Sequence, residues 1–338
     1  MQTFTFHDDQ PFLLEAGGKI DNLTLAYQTY GTISAGRDNV VWVCHALTGS
    51  GDAALWWSGL IGPGNVVDTN THFVVCANMI GSCYGSSGPT VDISGSGSPL
   101  FASFPLVTVR DQVRAFMRLR AYLGIEYIKV LIGGSMGGQH VLEWALLEPA
   151  VVERIVPIAT SAKHSPWAIA FNAAQRLALE ADSTFHELRF DGGAAGLMAA
   201  RAIGMISYRT PVLFNVRQRE DDERITDFHA ESYQRHQGVK LSHRFSAHAY
   251  HALTKAMDSH DVGRTRGGVG KALRSIAAKT LAVGIDSDLL FPEAEQQFIS
   301  DMIPKARYRR LSSASGHDAF LIDQRKLSII LHQESILS

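Results

Sequence analysis

The chain has 338 residues, a formal charge of −2, and 19% charged against 46% hydrophobic residues. That length can bury a full α/β core, and so even a charge balance carries no polyelectrolyte footprint, which argues against a nucleic-acid partner. Three cysteines cannot all pair, no basic segment followed by an apolar one opens the chain, and no apolar run of about 18 residues occurs, so the expectation is a cytoplasmic protein with reduced thiols, no signal peptide and no membrane span.

The first forty residues read as a β-meander, with strand-like runs at 12–15 and 23–30 separated by Gly17-Gly18 and Asp21-Asn22. Val40-Val41-Trp42-Val43-Cys44 is an unbroken apolar run, the texture of a strand covered on both faces. It ends in the loop His45-Ala46-Leu47-Thr48-Gly49-Ser50-Gly51. A second run at 72–78 leads into 81–89, where glycine, serine and proline predict a long loop. Val109, Val113, Phe116, Met117 and Leu123 recur at helical spacing and Gly124 closes that helix. Strands at 129–132 and 154–159 flank a helix at 140–147, and the alternation argues for a mostly parallel sheet with helices on both faces. From about 165 to 275 the texture is helical, at 166–180, 196–208, 225–237 and 247–257. Strand texture returns at 279–285 and 306–311 around a helix at 293–302, and 320–333 closes the chain as a helix. Because the sheet resumes, the expected organisation is one core domain, 1–162 and 276–338, with a helical lid, 163–275, inserted over the sheet's C-terminal edge, where ligands bind in such folds.

Between a strand and a helix sits Gly133-Gly134-Ser135-Met136-Gly137, the pattern G-x-S-x-G. The glycines permit a tight strand-to-helix turn that pushes the serine hydroxyl outward, and the first helical N–H, that of Met136, has no partner inside the helix. Ser135 is therefore the candidate nucleophile and the Met136 amide a candidate oxyanion donor. A serine hydroxyl needs a base oriented by an acid, and on this kind of sheet the chain order is serine, acid, histidine. His317, in Ser315-Gly316-His317-Asp318, follows the last strand in a small-residue loop just before a helix. Asp286 and Asp288 both follow the penultimate strand and both qualify as the acid. The second oxyanion donor should come from the 45–49 loop, with the Leu47 N–H preferred. His248 and His251 lack a third ligand, so no metal is expected, and with the other histidines of the helical block they read as a solvated face. Gly267-Gly268-Val269-Gly270-Lys271-Ala272 lacks the first glycine and the terminal Ser/Thr of a phosphate loop and reads as an ordinary loop.

Taken together, Cys44-His45-Ala46-Leu47-Thr48-Gly49, Gly81-Ser82-Cys83-Tyr84-Gly85-Ser86-Ser87-Gly88-Pro89, Gly133-Gly134-Ser135-Met136-Gly137-Gly138, Ser287-Asp288-Leu289-Leu290-Phe291-Pro292 and Gly316-His317-Asp318 resemble the homoserine O-acetyltransferase family, from about residue 12 to 323. The resemblance implies an α/β-hydrolase fold and a ping-pong transfer of acetyl from acetyl-CoA, through acyl-Ser135, to the side-chain hydroxyl of L-homoserine, as in methionine biosynthesis. It favours Asp288 as the acid. It also implies that Arg201 and Tyr208, two helical turns apart on one face, contact the substrate, with Arg201 on the carboxylate and Asp318 on the ammonium. Acetyl-CoA enters as co-substrate and no cofactor is implied. A homodimer through the lid helices is expected on the same ground. The segment 185–191 lacks the family's Trp/Tyr-containing lip, and Lys163, Arg209 and Arg217 are candidate phosphate contacts. Rival readings are a succinyl donor, a serine acceptor, an esterase with the same triad, and a non-catalytic binding domain.

Overall fold

The computed structural model describes residues 1–7 and 10–337. Among these, an eight-stranded sheet is formed by β1 (Gln2–Thr5), β2 (Thr24–Tyr30), β3 (Val40–Cys44), β4 (Phe73–Ala77), β5 (Ile128–Gly134), β6 (Val152–Ile158), β7 (Lys279–Ile285) and β8 (Ala306–Leu311). Its spatial order is β1-β2-β4-β3-β5-β6-β7-β8. The pairs β1/β2 and β2/β4 are antiparallel, and every other neighbour is parallel. Every residue of β3 is buried, and its side chains alternate between two cores: Trp42 joins one, Val41 and Val43 the other.

The helices are α1 (Val109–Tyr122), α2 (Met136–Leu147), α3 (Pro166–Glu180), α4 (Ala194–Tyr208), α5 (Pro211–Arg217), α6 (His229–Ser242), α7 (Ala247–Asp258), α8 (Glu293–Met302) and α9 (Gln324–Gln333), with short turns of helix at Ala53–Trp56, Val269–Arg274 and Ala319–Ile322. Thr108 opens α1 with a reciprocal capping box to Asp111, and Leu123 with Gly124 ends it. Between β6 and β7 lie α3 to α7, and the chain leaves and re-enters the core side by side: Val262 N donates to Ala162 O at 3.0 Å and His164 N to His260 O at 3.0 Å.

Several elements differ from the sequence reading. β1 and α5 were not anticipated, the helix expected at 225–237 runs from His229 to Ser242, and Val269–Arg274 is helical where a loop was expected. The closing helix is broken between Ile322 and Gln324. Among the described residues no helix is long and apolar enough to cross a membrane.

Candidate active site

The parallel strands β5 and β3 end side by side, Cys44 opposite Gly133, so the loop after each opens at one edge of the sheet. Beyond β5 the chain reverses into α2 through Ser135, whose φ of 57° and ψ of −123° are strained for a residue with a side chain. The neighbours over-determine that conformation: Ser135 N donates to Ile158 O at 2.9 Å, and Thr160 Oγ1 and Gly138 N donate to Ser135 O at 2.8 and 2.9 Å. Gly137 allows the turn to close, since a Cβ there would lie 2.1 Å from Cys44 O.

The structure brings Ser135, His317 and Asp288 together from three distant parts of the chain. His317 Nε2 lies 2.9 Å from Ser135 Oγ, and His317 Nδ1 lies 2.7 Å from Asp288 Oδ2. The second carboxylate oxygen of Asp288 accepts from Leu290 N at 2.8 Å and Phe291 N at 2.9 Å, which fixes its plane. All three side chains are buried. Burial alone would lower the imidazole pKa, but the charge and hydrogen bond of Asp288, with Asp318 nearby, outweigh it and hold the His317 pKa above 6.5. Asp286 stands apart, its carboxylate accepting from Ser312 Oγ at 2.7 Å and Ser313 N at 3.0 Å.

Ser135 and His317 open into a cavity of about 590 Å³ that Ala46, Leu47 and the insertion residues Arg201 and Tyr208 also line. Leu47 sits in a tight turn closed by Gly49 N on Ala46 O at 2.8 Å. Among the described residues neither the Leu47 nor the Met136 N–H donates to a protein acceptor. Arg201 lies over the Tyr208 ring, 5.4 Å from its centroid, and among the described residues no carboxylate pairs with its guanidinium. Tyr208 is buried and its ring is 5.7 Å from that of His317. Asp318 lines the same cavity, and its Oδ2 is 3.1 Å from Arg209 Nη1.

A family model described as the alpha/beta hydrolase fold matches residues 39–324. Among solved structures, esterase E22 superposes with a TM-score of 0.91 at 22% identity, over 100% of this chain and 99% of that one. The homoserine O-acetyltransferase of Bacillus anthracis does so with 0.90 at 22%, over 100% and 97%. At that identity both speak for the fold alone. A homoserine O-acetyltransferase from Cyclobacterium marinum is 47% identical over 326 residues, 96% of this chain and 93% of that protein. The chain belongs to the homoserine O-acetyltransferase family.

Two of the basic candidates for phosphate contact are engaged within the chain, Arg209 with Asp318 at 3.1 Å and Lys163 with Asp261 at 3.0 Å. Sequence reasoning also missed Arg244. It reaches from the loop between α6 and α7 to the Leu47 turn, its Nη1 donating to Thr48 O at 2.8 Å and to Tyr84 OH at 2.8 Å. Nothing in its local sequence distinguishes it from other exposed arginines. The histidine face expected on the insertion is not wholly solvated. His248 is buried, its Nε2 is 2.8 Å from Phe185 O and its ring stacks on Phe185, because that side of α7 packs into the insertion's own core. His251 is taken by Glu180 Oε1 at 2.8 Å. Among the described residues no group of three or more His, Cys, Asp or Glu could hold a metal ion.

Proposed function

We propose that this member of the family transfers the acetyl group of acetyl-CoA to the side-chain hydroxyl of L-homoserine through an acyl-Ser135 intermediate. The observation that carries the reading is an oriented nucleophile, Ser135, and a guanidinium with no carboxylate partner among the described residues, Arg201, lining one cavity. Ser135 Oγ attacks the thioester carbonyl as His317 Nε2 takes its proton, and Asp288 steadies the imidazolium. The negative oxygen of the tetrahedral intermediate is met by the Leu47 and Met136 N–H groups. Collapse breaks the C–S bond, and the thiolate leaves with the proton from His317. In the second half the homoserine hydroxyl gives its proton to His317 and attacks the acyl-serine carbonyl, and Ser135 departs with that proton, leaving O-acetyl-L-homoserine. Arg201 holds the carboxylate of the amino acid with Tyr208 beside it, and Asp318 faces the ammonium.

The helical block 163–275 serves in this reading as a lid that excludes water from the acyl-enzyme. Exposed apolar side chains on it, among them Ile206, Val212 and Val216, support pairing of two copies through these helices. Unpaired cysteines support a reducing, cytoplasmic setting, and the product suits methionine biosynthesis, with no cofactor required. The test is intact-protein mass spectrometry after mixing with acetyl-CoA and succinyl-CoA in competition, followed by a chase with homoserine or serine. The expected result is an acetyl adduct on Ser135 that homoserine discharges, absent in Ser135→Ala. A succinyl adduct, a serine-only discharge, or an adduct that survives Ser135→Ala would each overturn the assignment.

A further inference from the structure

The two candidate oxyanion donors differ in how they are fixed. Met136 N–H is fixed by the helix it begins, but Leu47 N–H belongs to a loop. Its direction depends on the peptide unit it shares with Ala46, and in a planar trans peptide the N–H points away from the C=O. Whatever holds the Ala46 carbonyl inward therefore holds the Leu47 N–H outward. Two donors do so: Gly49 N at 2.8 Å and the ring Nδ1 of His45 at 2.9 Å.

From this geometry we infer that His45 is a positioning residue for the oxyanion-binding turn, its Nδ1–H on the Ala46 carbonyl aiming the Leu47 N–H into the cavity. The inference rests on the reading of Leu47 as an oxyanion donor. The ring does not itself line the cavity, so it touches no substrate. It is buried, and the turn closes flush against it: a Cβ on Gly49 would lie 2.9 Å from His45 Cβ and 3.2 Å from Nδ1. Its other nitrogen, Nε2, accepts from Met79 N at 3.4 Å. A backbone N–H can only donate, so Nε2 is bare and the single proton resides on Nδ1, where the Ala46 carbonyl needs it. Burial lowers the ring's pKa to about 4, so this neutral tautomer persists across the working pH range. On the opposite side of the turn, Arg244 holds the Thr48 carbonyl at 2.8 Å, so the loop is braced both from the core and from the insertion.

The test separates the two ring nitrogens. His45→Asn places an amide donor near the Nδ1 position and loses the acceptor for Met79 N–H; His45→Gln reaches the Nε2 position and cannot serve Ala46. Acylation of each variant by p-nitrophenyl acetate gives kcat and KM, the burst amplitude counts functional Ser135, and a trifluoromethyl ketone reports affinity for the tetrahedral adduct. Loss of one oxyanion donor costs about 10²–10³ in kcat, and a misaimed donor should cost about 10–100-fold. His45→Gln is expected to lose that much in kcat and in ketone affinity, with KM changed by no more than about threefold, while His45→Asn recovers most of it. Equal losses in the two variants, a larger loss in Asn than in Gln, or a loss confined to KM would overturn the inference. Failure of the underlying reading looks different: Leu47→Pro, which removes the N–H outright, would keep wild-type kcat and ketone affinity.

Discussion

Ser135 is held in a backbone conformation that costs a side-chain-bearing residue on the order of 1–3 kcal/mol, and the bonds from Thr160, Gly138 and to Ile158 keep it there. The strain is matched by electrostatics at His317. The base must be neutral to accept the serine proton, and its pKa lies above 6.5 because Asp288 outweighs burial. Acylation should therefore fall as pH drops through that raised value. In Asp288→Asn the burial effect is left largely unopposed, so the acid limb of kcat/KM should move to lower pH while the plateau falls on the order of 10⁴-fold. A pH profile of ester acylation from acid to alkaline checks this, and an acid limb that stays in place would tell against Asp288 as the partner. At Arg201 the expected loss is in the other half-reaction. Arg201→Ala should acetylate at a near-normal rate from acetyl-CoA but discharge to homoserine about 10–100-fold more slowly, as rapid-quench measurement of each half would show, since a charge-assisted fork is worth roughly 1.5–3 kcal/mol. Ser135 and His317 were legible because each stands in a local pattern, a glycine turn and a small-residue loop after a strand. The choice between Asp286 and Asp288 was not written in the local pattern, since both carry the same carboxylate two residues apart, and it was the family resemblance that favoured Asp288. The fold supplies the physical reason: Asp286 is occupied by Ser312 and Ser313, and Asp288 faces the imidazole.

At the scale of elements, strands covered on both faces declared themselves through apolar texture, and β7, β8, α3 and α8 fall where the sequence put them. The boundaries that slipped have physical causes. Apolar texture showed α2 over 140–147 only, yet the helix runs from Met136, and Gly137 stands in its first turn because a Cβ there would lie 2.1 Å from Cys44 O. β1 is too short and too polar to announce itself, and it exists through its register with β2. Helix α8 shows a different kind of hidden information. Of its two first-turn acids, Glu293 is answered by Arg310 at the sheet edge. Among the described residues no cation pairs with Glu295, and its Oε2 is buried without a hydrogen-bond partner. Burial first, and the Asp288 charge after it, raise its pKa from 4.5 to about 7, against the pull of the Ser165 and Ser161 hydroxyls. A carboxyl whose folded pKa is raised contributes stability that is fully present below about 4.5 and lost as pH rises through about 7. Glu295→Gln should therefore match the wild type near pH 4 in urea unfolding but exceed it at pH 8, by roughly 1–2 kcal/mol once solvent screening is allowed for. A difference that does not change with pH would refute the raised pKa.

Across the whole molecule, the helical insertion must stay in register with the sheet, because Arg201 and Tyr208 come from one and Ser135 and His317 from the other. The paired backbone at 162–164 and 260–262 fixes the stem, and just beyond it an ion network ties that stem to the core. Glu143 on α2 receives Arg110 Nε at 2.6 Å from α1, and Arg266 Nη2 at 2.6 Å and Nη1 at 2.9 Å from the returning chain. Glu15 receives Arg110 Nη1 at 2.7 Å and Arg264 Nη2 at 2.9 Å. The sequence offered no sign of this, since Glu143 reads as one acid in an apolar helix and Arg266 lies 123 positions away. Glu143 is only 2% exposed, whereas Glu15 keeps more contact with water, so the buried carboxylate is the member whose loss strands charge. Glu143→Ala leaves Arg266 without its bidentate partner and Arg110 with only one of two, a change that should cost about 3–5 kcal/mol. The cost should appear as a fall in the urea midpoint, and, before global unfolding, as faster amide exchange around 260–266 than in β5. Removing the stranded cation as well, in Glu143→Met with Arg266→Met, should recover part of that stability, because apolar groups of similar volume replace a desolvated pair at little net cost. If the single variant unfolded within about 1 kcal/mol of the wild type, the network would be surface decoration and the insertion would be held by its apolar packing alone.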